Sequence, residues 1–201
     1  MSSRKEALAT QPSSDCMSGA DALQTVGDDG FDGLALSPNG WASREAMVRQ
    51  PLTVIFLDID GVICTSRSGA NVLKIELLTE LKRIVLACDA KVVLSTDWRR
   101  VPSLRKKAMV RLASLPPFGA GIDCVGATPE FRQHAAVRPR EIAAWLSEHG
   151  RNVTRWVAID DRLLTNEEGG HFLVGHCVTT EFAWGLTAKR ADEAIQLLQG
   201  Q

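Results

Sequence analysis

No apolar run in this 201-residue sequence approaches the roughly 20 residues that a membrane-crossing helix requires, so no span is expected. Net charge is nearly absent too: 23 basic residues stand against 24 acidic ones, a formal balance of −1. That removes any global pull toward nucleic acid or an anionic membrane, and such binding would need a local patch. Cysteine is sparse. Cys16, Cys64, Cys88, Cys124 and Cys177 form no Cys-x-x-Cys pair, and three of them lie in or beside apolar segments, where a reduced thiol acts as a small hydrophobe. The expectation is a reducing, cytoplasmic setting without a disulfide framework. The first twenty residues lack the apolar stretch of a secretory signal. The absence of Lys and Arg between Glu6 and Ser43 argues against a transit peptide. No internal repeat is visible.

Two regions differ in texture. Residues 1–50 form a tail: as far as about Asn39 they are rich in Ser, Gly, Asp and Ala without periodicity, which predicts disorder, and a short helix is expected from Ser43 to Arg49 before Pro51. Residues 51–201 read as one domain. With 45% apolar residues overall, the chain can bury a sizeable core.

Leu52 to Leu57 is a nearly continuous apolar run, the mark of a strand buried on both faces. Asn71 to Cys88 carries apolar residues at helical spacing. Strands are expected at Lys91–Ser95, Gly121–Val125, Thr154–Ile159 and Val174–Val178, and helices at about Val101–Leu115, Arg138–His149 and Thr187–Leu198. This alternation predicts an α/β fold, a five-stranded parallel sheet between helix layers, whose ligands bind beyond the carboxyl ends of the strands.

Three strands end in chemistry. The first delivers Asp58 and Asp60, the second Ser95 and Thr96, the fourth Asp160 and Asp161. Carboxylates gathered this closely repel unless a cation sits among them, and hard oxygens without neighbouring His or Cys suit Mg2+, which itself favours phosphate. One acid of the first strand can attack phosphorus while its protonated neighbour supplies the leaving oxygen with a proton. Ser95, or Thr96 in its place, can hydrogen-bond phosphoryl oxygens, and a cation on a helix N-terminus, Arg138, can neutralise developing charge.

These residues resemble the four motifs of the haloacid dehalogenase (HAD) superfamily: Phe56 to Val62, Val92 to Ser95, Arg138, and Ala158 to Asp161. A narrower likeness is to the HAD domain of Swiss army knife RNA-repair proteins, carried by Leu57–Val62, Leu94–Arg99, Arg138–Leu146, Ile159–Asp161 and Thr180–Thr187. Asp97 departs from that pattern, standing where a small polar residue is expected. The resemblance implies a three-layer Rossmann-like fold and a Mg2+-dependent phosphohydrolase. It implies Asp58 as nucleophile and Asp60 as acid/base. Mg2+ would be held by the Asp58 carboxylate, the Asp60 carbonyl and Asp160, with Asp161 assisting. Asp at position 60 argues for phosphoryl transfer over dehalogenation, and the Glu-Ile spacing favours Arg138 over Arg140 as the motif-three cation.

Too few residues separate the motifs for a cap domain, so an open site is expected, suited to a phosphorylated macromolecule such as RNA or a phosphoprotein. Arg99, Arg100, Arg105, Lys106, Lys107 and Arg111 read either as a footprint for a polyanion or as a solvated helix face. Trp98, Trp145, Trp156 and Trp184 read as core or rim aromatics, and His171, His176 and Cys177 as surface or packing residues rather than a zinc site. Competing functions are a phosphotransferase on the same aspartyl phosphate and a catalytically inactive phosphate-binding scaffold.

Overall fold

A computed structural model of the chain describes residues 51–115, 121–131 and 137–200. The tail expected over 1–50, with its disorder and its short helix, lies outside the described residues. Strands β1 (Leu52–Leu57), β2 (Ala90–Leu94), β3 (Cys124–Ala127), β4 (Val153–Asp160) and β5 (Cys177–Thr179) form one parallel sheet in the order β3-β2-β1-β4-β5. Helices α1 (Ile75–Cys88), α2 (Pro102–Ala113), α3 (Arg138–His149) and α4 (Ala188–Gln199) connect and cover them.

β1 is central and paired on both edges, which is why its sequence runs apolar without alternation. Its side chains still divide by parity. Ile55 and Leu57 join Val92, Leu94, Val157 and Ile159 in the core under α1, α2 and α4. Val54 and Phe56 join Val93, Ala158 and the α3 residues Ile142 and Trp145 on the opposite face. Phe56 meets Trp145 and Trp156 edge to face, at centroid separations of 5.3 and 5.8 Å. Truncating a fully buried Leu such as Leu57 to Ala costs about 2–5 kcal/mol. Among the described residues no helix is long and apolar enough to cross a membrane.

Three expected boundaries move, each for a local reason. α1 begins at Ile75 rather than Asn71, because Asn71 takes a left-handed conformation (φ 58°) and Lys74 is extended. β3 begins three residues late. Gly121 lies against the Ala113 backbone and the Ile122 N–H donates to Leu112 O at 2.9 Å, so this stretch closes α2 before the strand starts. β5 begins at Cys177, since Val174–His176 form a turn with Gly175 at φ 82°. α3 starts and stops where expected, with Pro139 in its first turn and Gly150 as C-cap.

Strand order reverses direction between β1 and β4. In a sheet of this kind the ligand crevice opens at that reversal, beyond the carboxyl ends of the two strands.

Candidate active site

Parallel register fixes what meets at the crevice. Leu57 pairs with both Leu94 and Ile159, so the residues one step further on fall level with one another: Asp58, Ser95 and Asp160. The backbone bonds continue past the strand ends, Asp58 N–H to Ile159 O at 3.0 Å and Ser95 N–H to Leu57 O at 2.8 Å. Asp58 and Asp160 are buried, 5% and 1% exposed. One carboxylate oxygen from each of Asp58, Asp160 and Asp161 lies within 4.8 Å of the others.

α3 supplies the counter-charge. The buried Arg138 guanidinium reaches Asp58 Oδ2 at 3.0 Å and Asp160 Oδ2 at 2.6 Å, bridging the two strand ends. Burial works against the Arg138 charge, but Asp58 and Asp160 outweigh it and raise the guanidinium above its ordinary range. Two positions along, Arg140 points outward to Glu168 at 3.5 Å, so Arg138 is the α3 arginine that faces the acids. The Asp160 carboxyl is pushed up, first by burial and then by Asp58, against the pull of Arg138. Asp161 moves in the same direction for the same two leading reasons. One cation is therefore too little for three acids, and a divalent ion fits the remaining charge. The donors are all hard oxygens, the set Mg2+ prefers. Gly61 makes the room. It sits at φ 73°, and a Cβ there would fall on the Asp161 carboxyl group.

Asp60 stands apart from that trio as an exposed residue. Its carboxylate accepts a hydrogen bond from the Trp98 indole N–H at 2.9 Å. Desolvation raises its proton affinity, the Trp98 bond works the other way, and Asp58 adds to the rise. Ser95 is 1% exposed, and its Oγ has no hydrogen-bond partner among the described residues. A buried hydroxyl left open is costly unless something arrives to accept from it, and a phosphoryl oxygen is such an acceptor. Thr96, by contrast, is committed to the following turn, accepting from the Trp98 N–H at 3.4 Å.

Three contributors lie in segments that carry the family resemblance, but their roles at the site do not follow from the sequence. Trp98, expected as a core or rim aromatic, is 2% exposed in the core, and its indole N–H also anchors Asp60. Thr180 donates to Gly61 O at 2.7 Å and so holds the loop that carries Asp60. Glu141 is the third. Arg99, expected within a basic patch, is instead 3% exposed and paired with Glu141 Oε2 at 2.6 Å, and its guanidinium also donates to the carbonyls of Thr96, Thr128 and Pro129. Arg100 reaches Glu141 at 3.0 Å and Asp97 at 3.1 Å. These two arginines fasten α3, and with it Arg138, to the loop after β2. Burial lowers Arg99, and Glu141 offsets that. A glutamate one turn after Arg138 on an otherwise apolar face was the available signal. His176 stacks on Trp156 at 4.2 Å, a packing role.

An all-parallel five-stranded sheet with acids at the β1 and β4 tips defines a Rossmann-like domain of the HAD type. The model of the family described as the HAD domain in Swiss Army Knife RNA repair proteins matches residues 54–191, and the chain belongs to that family. Among curated proteins and among solved structures, nothing matches.

Proposed function

We propose that the protein is a Mg2+-dependent phosphomonoester hydrolase working through an aspartyl phosphate on Asp58, with the phosphorylated end of a nucleic acid as substrate. The observation that carries this reading is the convergence of Asp58, Asp160 and Asp161 within 4.8 Å, beside the Arg138 bridge. Mg2+ would be held by the Asp58, Asp160 and Asp161 carboxylates together with the Asp60 backbone carbonyl, and when bound it supplies positive charge to the phosphoryl oxygens.

A carboxylate oxygen of Asp58 attacks phosphorus and the bond to the leaving oxygen breaks, while Asp60, protonated, gives that oxygen its proton. Asp60 is then a carboxylate. It takes a proton from water, the resulting hydroxide attacks the same phosphorus, the bond to Asp58 breaks, and inorganic phosphate leaves with both aspartates restored. The Ser95 hydroxyl donates to a phosphoryl oxygen throughout. Arg138, 3.0 Å from Asp58 Oδ2, keeps that carboxylate aimed and shares the charge that develops on the transferring group.

For the substrate class, the support is the RNA-repair description of the family, the short connections around the site, and cations on α2. A groove of about 680 Å³ is lined by Lys106, Lys107 and Arg111 over an apolar floor that includes Val72 and Leu73. Cys64, Cys88, Cys124 and Cys177 are free thiols, which supports a reducing, cytoplasmic setting.

The test is hydrolysis of an aryl phosphate with and without Mg2+, for the wild type and Asp58→Asn. Metal-dependent turnover abolished by the substitution is expected. Turnover indifferent to it sinks the mechanism, and a wild type inert toward every phosphomonoester favours a phosphate-binding scaffold.

A further inference from the structure

The loop after β5 presents two aromatic rings to solvent beside the catalytic edge. Phe182 is 55% and Trp184 54% exposed. Single exposed aromatics are ordinary, but here two lie within three positions of each other on a loop whose backbone is held at both ends. Thr180 is bonded to Gly61 O and to Asp160 O, and the Leu186 N–H donates to Val62 O at 2.8 Å. Phe182 O accepts from the Ser66 N–H at 3.2 Å, and Leu186 is fully buried. Gly185, at φ 72°, packs where a Cβ would strike the Val62 carbonyl oxygen. The ties run to residues 61–66, the segment that leaves Asp60, and to Asp160 at the tip of β4. The loop is therefore fixed to the rim of the site, and its rings are held outward rather than left loose.

Arg67 completes the arrangement. Its guanidinium carbon lies 3.9 Å from the Trp184 ring centroid, and the residue is exposed. A guanidinium on one face of an indole pre-orients the ring and leaves N–H groups for a phosphate, while the opposite face remains available to a flat, π-rich partner. Ring stacking beside a cation is how sequence-tolerant single-strand binders hold successive bases.

The geometry points to Trp184, with Phe182 and Arg67, as a stacking subsite for a nucleobase next to the scissile phosphate of a single-stranded end. The inference rests on the nucleic-acid reading given above and deepens it. It separates substrates by what adjoins the phosphate: a base stacks, whereas an abasic sugar or an aliphatic phosphopeptide side chain finds no partner there.

Two matched sets of short end-phosphorylated oligonucleotides, one with bases and one abasic at the two nucleotides nearest the phosphate, provide the test. In the wild type, kcat/KM is expected to favour the base-bearing strand by about 5- to 150-fold, the range that stacking on one aromatic supports. In Trp184→Ala that preference collapses toward one, and in Trp184→Phe most of it returns. Binding of the same strands to the Asp58→Asn chain, read by fluorescence anisotropy, measures the preference without turnover. The subsite can thus be judged even if the proposed nucleophile is wrong. A Trp184→Ala chain that keeps the preference overturns the inference, as does a wild type that shows none while hydrolysing a phosphopeptide faster.

Discussion

The indole N–H of Trp98 meets a carboxylate oxygen of Asp60 at 2.9 Å, joining the third residue after β1 to the turn that follows β2. The bond fixes the direction in which the proposed acid/base presents its other oxygen. Replacing Asp60 by Asn should lower kcat by about 10²–10⁴, the span attributed to a positioned acid/base. Trp98→Phe keeps the acid and loses its anchor, so a smaller loss, about tenfold in kcat with KM little changed, is expected. Steady-state kinetics below the melting point of each variant decides it. A Trp98→Phe enzyme with full kcat would deny Trp98 any part in orienting Asp60.

Arg99 and Glu141 form an ion pair in which both side chains are about 1% exposed. Removing one partner of such a pair leaves the other charge buried alone, at a cost of about 3–5 kcal/mol. Glu141→Ala should therefore shift the urea midpoint strongly, and Arg99→Met in the same chain should recover part of the loss. A loss below about 1 kcal/mol in the single variant would contradict a structural role for the pair.

Much of this was legible beforehand. β1 and β2 are buried parallel strands with largely apolar sequences, β4 is buried only over Val157–Asp160, and the acids that follow or end β1 and β4 stand out because acids are poor strand formers. Arg138 was legible from helix position. The edge strands β3 and β5 were shifted by about three residues because they are short and follow turns set by Gly121 and Gly175, whose role depends on neighbouring backbone. Arg99 was misread for a different reason. Six cations within thirteen positions look alike in sequence, and only the fold turns one of them inward against Glu141. Trp98 and Thr180 act through partners 38 and 119 positions away, which local patterning does not reach.

Gly61 is the position where the acids leave no room. Gly61→Ala meets both a left-handed backbone and the Asp161 carboxyl group. Calorimetric titration should register Mg2+ affinity reduced about tenfold or more, an outer-shell-sized effect. Undiminished affinity would mean that Asp161 has no share in the metal site.

Burial pushes the Cys124 and Cys177 thiols up to about 12, and raises Cys64 and Cys88 as well. Only the thiolate alkylates, so in a Cys16→Ser chain at pH 8 Cys124 and Cys177 should react with iodoacetamide about a thousandfold more slowly than in urea. The sign for stability follows. Unfolded thiols ionise first, so these groups subtract stability as pH rises above about 9 and have no effect well below it. Peptide mapping of the alkylated chain reads each site. Native rates within about tenfold of the unfolded ones would contradict the burial argument.

The central claim is that phosphorus passes through Asp58. Rapid acid quenching during turnover of a phosphomonoester with Mg2+, followed by borohydride reduction and peptide mass spectrometry, tests it directly, because reduction converts an aspartyl phosphate to homoserine. The account predicts homoserine at position 58 and unmodified aspartate at 60, 160 and 161. Homoserine at one of those three positions, or none anywhere while a phosphoenzyme accumulates, would contradict it.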